Sequence, residues 1–405
     1  MVTKINGGVC TPQGYKASGV HCGIRKNKSK QDLALIKSDV MANVAAVFTQ
    51  NKVKGAPLIV SKENMADGKA QAIICNSGNA NTCAPNGIDV AKTICELTAK
   101  SLDLKMTDVL VNSTGVIGQE LLLEPFERGI PEACGSLSYS GGTAAAQAIM
   151  TTDTTEKEVA FEFSCGGKTC KIGAIGKGSG MIHPNMATML IFITSDVAIS
   201  SSLLQKALSA DIKDTFNQIS VDGDTSTNDT VILMANGMAG NTEIVEEDDD
   251  YVSFCDALNA ITTFMSRKIA GDGEGATKLL ECVVSGANSK ENARKISKSI
   301  ICSSLFKAAM FGADANWGRA LCAIGYTQGE FSIDKVCVSL KSSAGQVDVC
   351  ENAAHKIYSE DEAAKILAEE EIQILVDMND GEHSAKAWGC DLTYDYVKIN
   401  GDYRT

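Results

Sequence analysis

This chain has no apolar run near membrane-span length, no CxxC pair, no histidines at ligand spacing and no surplus of positive charge. Each absence removes a class of function. A spanning helix needs about 20 consecutive apolar residues, and the greasiest stretch, Met189-Leu190-Ile191-Phe192-Ile193, is far shorter. The segment Met1 to Gly8 lacks the apolar core of a secretion signal, so a cytoplasmic location is expected, with no membrane partner. A net charge of −13 argues against a nucleic-acid binder, which normally carries a basic face. The one dense basic cluster, Arg25 to Lys30, is followed by Asp32 and reads as a solvated loop. The 4 histidines are unpaired at metal-ligand spacing, and the 15 cysteines are scattered and odd in number. Cys165 and Cys170 flank Gly166-Gly167-Lys168-Thr169, a hairpin turn. Most others sit in apolar contexts, such as Ile74-Cys75 and Val336-Cys337-Val338. They read as reduced core residues, and no metal site is expected.

What is present is a globular composition, 44% hydrophobic and 21% charged over 405 residues. That length suits one large domain or two or three ordinary ones. The pattern is mixed α/β. Strands are expected at Ala72–Cys75, Val109–Val111, Val159–Phe163, Met189–Thr194, Val231–Met234, Phe331–Leu340, Ile372–Val376 and Leu392–Ile399. A period near 3.6 marks helices on Leu204, Leu208, Ile212 and Phe216, on Ile88, Ala91, Ile94 and Leu97, and from Ile296 to Met310 with a stop at Gly312. Glu246 to Asp250 is an acidic run, expected as a solvated loop before a helix.

Chemistry concentrates where Gly176-Lys177-Gly178-Ser179-Gly180-Met181-Ile182-His183-Pro184-Asn185-Met186 runs into Ala187-Thr188-Met189 and an apolar strand. The loop does not match a phosphate-binding P-loop, because the spacing is wrong and a strand follows instead of a helix. A lone hydroxyl at this junction suits a threonine that becomes a new N-terminus when the chain cuts itself before Thr188. A threonine hydroxyl is a weak nucleophile that needs a base. The freed α-amine, with a pKa of about 7.7–8.0, is such a base on the same residue. Small Ala187 leaves the scissile carbonyl accessible. Cleavage leaves residues 1–187 as an α chain and 188–405 as a β chain. Both are too long to be discarded, so they are expected to stay folded together as one catalytic unit.

Three other segments are polar in a useful way. Asn112-Ser113-Thr114-Gly115 empties from a strand and can present a hydroxyl and a backbone N–H to an oxyanion, although a plain turn is the commoner reading of such residues. Thr151-Thr152-Asp153-Thr154 suits a substrate carboxylate or a helix cap. Gly271-Asp272-Gly273-Glu274-Gly275-Ala276-Thr277-Lys278 places a carboxylate among glycines, which suits an ammonium group and lacks the spaced oxygens of an EF-hand. Val221-Asp222-Gly223-Asp224-Thr225-Ser226-Thr227-Asn228-Asp229 is polar without a role that chemistry alone assigns.

Taken in order with Val47-Phe48-Thr49-Gln50-Asn51, Cys75-Asn76-Ser77-Gly78-Asn79-Ala80-Asn81, Ala315-Asn316-Trp317-Gly318-Arg319 and the end Asn400-Gly401-Asp402-Tyr403-Arg404-Thr405, these segments make the chain resemble the ornithine acetyltransferases. These are the glutamate N-acetyltransferases of cyclic arginine biosynthesis, the ArgJ family. The resemblance spans essentially the whole chain. It implies an α/β fold of layered sheets flanked by helices, like that of the β-peptidyl aminopeptidases, and a self-cleaving threonine enzyme. Acetyl would pass from N2-acetylornithine to Thr188 and then to glutamate. It further implies Thr114 and Gly115 as the oxyanion hole, and a substrate site of Thr151 (or its neighbour Thr152), Lys177, Thr188, Glu274, Asn400 and Thr405. No cofactor is required, since the acetyl rides on the protein. Some members also accept acetyl-CoA, and members commonly assemble from two α and two β chains.

Two other readings compete. One is a self-processed threonine aminopeptidase or amidase, with water as acceptor. The other is a non-catalytic metabolite-binding protein that stays uncut.

Overall fold

The computed structural model describes residues 2–183 and 189–402. Ala187, Thr188 and Thr405 lie outside the described residues. Among the described residues the strands are β1 (Thr3–Ile5), β2 (Tyr15–Val20), β3 (Leu33–Phe48), β4 (Lys69–Asn79), β5 (Val109–Val116), β6 (Lys157–Cys165), β7 (Lys168–Lys177), β8 (Leu190–Ser195), β9 (Ile219–Ser220), β10 (Thr230–Ala235), β11 (Leu279–Ala287), β12 (Cys337–Ser342), β13 (Gly345–Glu351), β14 (Ala354–His355), β15 (Glu371–Asp377) and β16 (His383–Cys390). They form two sheets, one in each of two compact units. The first unit draws on residues 2–178, 189–212 and 225–265, and the second on 179–183, 213–224 and 266–402.

The first sheet runs β1-β6-β7-β8-β10-β3-β4-β5, with β2 also on β3. Leu190 to Ser195 is buried at every position, the pattern of a strand covered on both faces. Its neighbours explain this: β8 pairs antiparallel with β7 and parallel with β10. Lys177 is opposite Leu190 in that register. The connection carrying the expected cut therefore leaves the sheet and returns to it on adjacent strands. One face packs Ile73, Cys75, Leu110, Leu190, Phe192 and Ile232 against the alanine-rich helix Gly142–Ile149. The other face, over β3 to β5, packs Leu35, Ile74, Val109 and Val111 against helices Gly87–Leu102 and Glu124–Gly135. The β6–β7 hairpin turns on Gly166 (φ 55°) and Gly167 (φ 70°). Both lie in the left-handed region that a two-residue hairpin turn requires.

The second sheet runs β14-β13-β12-β15-β11-β16-β9. The helix Lys290–Cys302 buries Ile296, Ile300 and Ile301 in its core.

The layered α/β architecture agrees with expectation, and four local readings are corrected. The helix expected through Leu204 to Phe216 spans Ser201–Asp211, and Phe216 opens a separate 3-10 turn, Phe216–Gln218. Leu392–Ile399 is not a strand: a helix spans Tyr394–Gly401, started by the Thr393 hydroxyl, which accepts the Tyr396 N–H at 3.4 Å. The stretch from Ile296 to Met310 is two helices, because Ser303 is extended (ψ 110°) and caps the second, Ser304–Phe311, by accepting from Phe306 N–H. The strand expected from Phe331 begins only at Cys337.

Candidate active site

In the first unit β4 and β5 end side by side, with Ser77 opposite Thr114 and Gly78 opposite Gly115. Gly115 has φ 130°, and a Cβ there would lie 2.3 Å from the Gly78 carbonyl carbon. Only glycine allows the two backbones to approach this closely. A buried polar lattice holds the turn. Ser113 Oγ donates to Asn76 Oδ1 (2.6 Å), Asn76 Nδ2 to the Asn79 carbonyl (2.9 Å), and Asn228 Nδ2 to the Ser113 carbonyl (2.9 Å). Alternation along β5 puts Asn112 and Thr114 on the same face. The Asn112 side chain is 1% exposed, and among the described residues neither its oxygen nor its nitrogen has a hydrogen-bond partner. Such a group carries a desolvation penalty of about 1–3 kcal/mol.

Lys177 ends β7 and is partly buried. Its ammonium is pushed down, chiefly by desolvation. The carboxylates of Asp153 and Asp229 oppose that shift, and the charge of Lys157 adds to it. A lysine whose charge is depressed by burial is found at functional sites more often than elsewhere.

Asp153 ties this region together. Its Oδ1 accepts from Lys157 Nζ at 2.7 Å and from the Gly178 N–H at 2.8 Å, and its Oδ2 accepts from the Thr151 N–H at 3.0 Å. Asp153 and Lys157 are both buried. Burial alone would raise the Asp153 carboxyl, but the charges of Lys157 and Lys177 and these hydrogen bonds hold it at about 2. The threonine pair is thus anchored from Asp153, and both Thr151 and Thr152 are partly buried.

The second unit holds the remaining described candidates. Glu274 is buried, and its Oε2 accepts from Asn400 Nδ2 at 2.7 Å. The flanking glycines are there for space. A Cβ on Gly275 (φ 69°) would lie 2.7 Å from the Tyr396 nitrogen, and one on Gly273 would lie 2.8 Å from Cys390 Sγ. The start of the last helix therefore sits directly on the loop, which brings Asn400 to Glu274. Gly180 is as close: a Cβ would fall 2.3 Å from Glu274 Cδ. Asp391 fixes the far side of the loop through the Thr277 and Lys278 N–H groups, at 2.9 and 3.0 Å.

The candidates thus fall into two sets: Thr114, Gly115, Thr151 and Lys177 in the first unit, and Glu274 and Asn400 in the second. Thr188 and Thr405 lie outside the described residues. Sequence reasoning left Asp153 as one of four polar residues and did not single out Asn112. Asn112 has no local signal, because the strand beside it is distant in sequence; Asp153 has one in Lys157, four residues on, which sequence reasoning did not use.

A profile of the ArgJ family matches residues 16–405. The arginine biosynthesis bifunctional protein ArgJ of Caldanaerobacter subterraneus subsp. tengcongensis is 51% identical over 402 residues, 99% of each chain. Its counterpart in Listeria monocytogenes serovar 1/2a is 45% identical over 405 residues, again 99% of each. The solved arginine biosynthesis bifunctional protein ArgJ of Bacillus halodurans is 44% identical, covers 53% of this chain and 99% of its own, and superposes with a TM-score of 0.50. Identity this high along nearly the full length, together with the family match over residues 16–405, means that the chain belongs to the ArgJ family.

Proposed function

We propose that this chain is a glutamate N-acetyltransferase of arginine biosynthesis, moving acetyl from N2-acetyl-L-ornithine to L-glutamate through an acetyl-threonine intermediate. The observation that carries this reading is near-complete alignment with arginine-biosynthetic ArgJ relatives at 45–51% identity.

Maturation comes first. The Thr188 hydroxyl attacks the Ala187 carbonyl, an ester forms as the peptide C–N bond breaks, and the hydroxyl proton passes to the leaving amine. Water then cleaves the ester, which leaves a carboxylate on Ala187 and a free α-amine on Thr188. A solved relative whose chain spans about half of this one is in keeping with a chain cut near its middle.

Transfer follows in two halves. The neutral α-amine takes the hydroxyl proton as Thr188 attacks the acetyl carbonyl of N2-acetylornithine. The Thr114 hydroxyl and Gly115 N–H face the developing oxyanion, where one such donor is worth about 2.7–4 kcal/mol. Ornithine leaves with the proton. The glutamate amine then attacks the acetyl ester and restores the Thr188 hydroxyl. Lys177 brings a positive charge near the new amine, which favours the amine's neutral, basic form. Glu274 receives the ornithine side-chain ammonium. Asn400, Thr405 and Thr151 or Thr152 hold the amino-acid end that both substrates share. An acetyl thioester such as acetyl-CoA enters the same first half with a thiol leaving. No cofactor is needed on this route.

The working assembly in this reading is two α and two β chains in the cytoplasm. Among the described residues no helix is long and apolar enough to cross a membrane. The family match speaks against the aminopeptidase and binding-protein readings.

Intact-mass spectrometry before and after brief incubation with N2-acetylornithine tests the proposal. The expected result is two fragments split before Thr188, the larger gaining one acetyl group. Thr188→Ala should stay uncut and inactive. A cut, active variant, or an unmodified wild-type fragment, would overturn the assignment.

A further inference from the structure

The polar segment Val221 to Asp229 is left without a part in the acetyl transfer, yet its second residue grips the chain just upstream of the cut. The Asp222 carboxylate accepts the N–H of Met181 through Oδ2 at 2.6 Å and the N–H of Ile182 through Oδ1 at 2.9 Å. The same Oδ1 accepts the Asp224 N–H at 3.1 Å. The Val221 N–H donates back to the Ile182 carbonyl at 2.7 Å. Two successive backbone N–H groups closing on one carboxylate form an anion nest.

The nest exists because Met181 has φ 57°. A non-glycine residue in this region is strained and persists only where its surroundings over-determine it. The Met181 side chain is 43% exposed, so its own packing does not hold the turn. The residues on either side are fastened too. Ser179 Oγ donates to the Asp272 carbonyl at 2.7 Å, and the Glu274 N–H donates to the Ser179 carbonyl at 3.0 Å. His183 Nδ1 lies 3.1 Å from Ser220 Oγ.

We propose that Asp222 is a positioning residue for self-cleavage: it holds the left-handed turn at Met181 and so sets the path of the chain into the Ala187–Thr188 bond. The inference rests on the reading that the chain cuts there. An N-to-O acyl shift needs the hydroxyl held close to the carbonyl of the preceding residue, and a stem free to swing would lose that alignment. Asp222 acts before the cut and takes no part in acetyl transfer afterwards.

The test follows cleavage of freshly made full chain by intact mass, and then measures acetyl transfer per cut molecule and the melting temperature. Asp222→Asn should slow cleavage about tenfold or more, the cost of an unsupported left-handed residue, while molecules already cut transfer acetyl at the wild-type rate. Adding Met181→Gly to Asp222→Asn should restore most of the cleavage rate, because glycine takes the turn without the carboxylate. If Asp222→Asn does not fold, the exposed position gives a second reading: Met181→Val slows cleavage and Met181→Gly does not. Cleavage of either Asp222→Asn or Met181→Val at the wild-type rate would overturn the proposal. Equal loss in cleavage and in transfer per cut molecule would make Asp222 a general structural residue and overturn it as well. A wild-type chain that is never cut would overturn the underlying reading itself, which is a distinct result.

Discussion

One methyl group added at Gly115 would place a carbon 2.3 Å from the Gly78 carbonyl carbon and 2.6 Å from the Asn79 nitrogen. Backbone cannot give way as a side-chain tip can, so the ends of β4 and β5 must part. Gly115→Ala should destabilise the fold by about 1–3 kcal/mol and lower kcat more than it raises KM, as thermal melting and steady-state kinetics would show. Asp153 makes a second claim at this scale. Its carboxyl sits at about 2 against an ordinary 3.8, so as pH falls the unfolded chain takes up the proton first. The stability it supplies is complete above pH ~4 and lost as pH drops through about 2, roughly 2 kcal/mol in all. Urea midpoints across that range should show this loss. Asp153→Asn should lack it, while being less stable at pH 7 by about 3–5 kcal/mol because Lys157 is left buried without its carboxylate.

Among the elements, the helix Tyr394–Gly401 matters most to the proposed substrate site because it carries Asn400 to Glu274. Its first turn depends on Thr393, which accepts from the Tyr396 N–H and donates to the Gly275 carbonyl at 2.7 Å. Thr393→Ala should cost about 1 kcal/mol and raise KM for N2-acetylornithine with little change in kcat, since it loosens binding and not the acyl chemistry. This helix also shows what the sequence could and could not convey. Leu392, Tyr394, Tyr396 and Val397 read as a strand because aromatic and β-branched residues favour one. In the fold Tyr394 and Val397 are exposed, so the capping threonine decided the conformation and the apolar pattern did not. The apolar run after Thr188 was legible because β8 is covered on both faces and needs no polar residue until its end. β3 escaped detection: Lys37, Ser38 and Asp39 interrupt its apolar run, and a register shift falls between Lys37 and Ala42. The pairing of Glu274 with Asn400 and the grip of Asp222 on Met181 join residues far apart in the chain, so only a family resemblance could suggest the first and nothing suggested the second.

At the scale of the whole molecule, the two compact units do not follow the expected cut. The first unit builds one sheet from β1 to β7 on one side of Thr188 and from β8 and β10 on the other. The second, made mostly of residues after the cut, includes residues 179–183 from before it. The fragment after the expected cut therefore supplies Leu190, Phe192, Ile232 and Met234 to a core otherwise built from the fragment before it. Cut protein should run on size exclusion as one species containing both fragments, which part only in denaturant, and dissociation in plain buffer would contradict this account. Chain ends usually fray and exchange their amide hydrogens within moments. A cut before Thr188 would instead create an end two residues ahead of a strand buried at all six positions and bonded on both sides. The amides of Ile191 to Thr194 should then be among the slowest in the protein to exchange with deuterium: the newest terminus would begin where the molecule opens last.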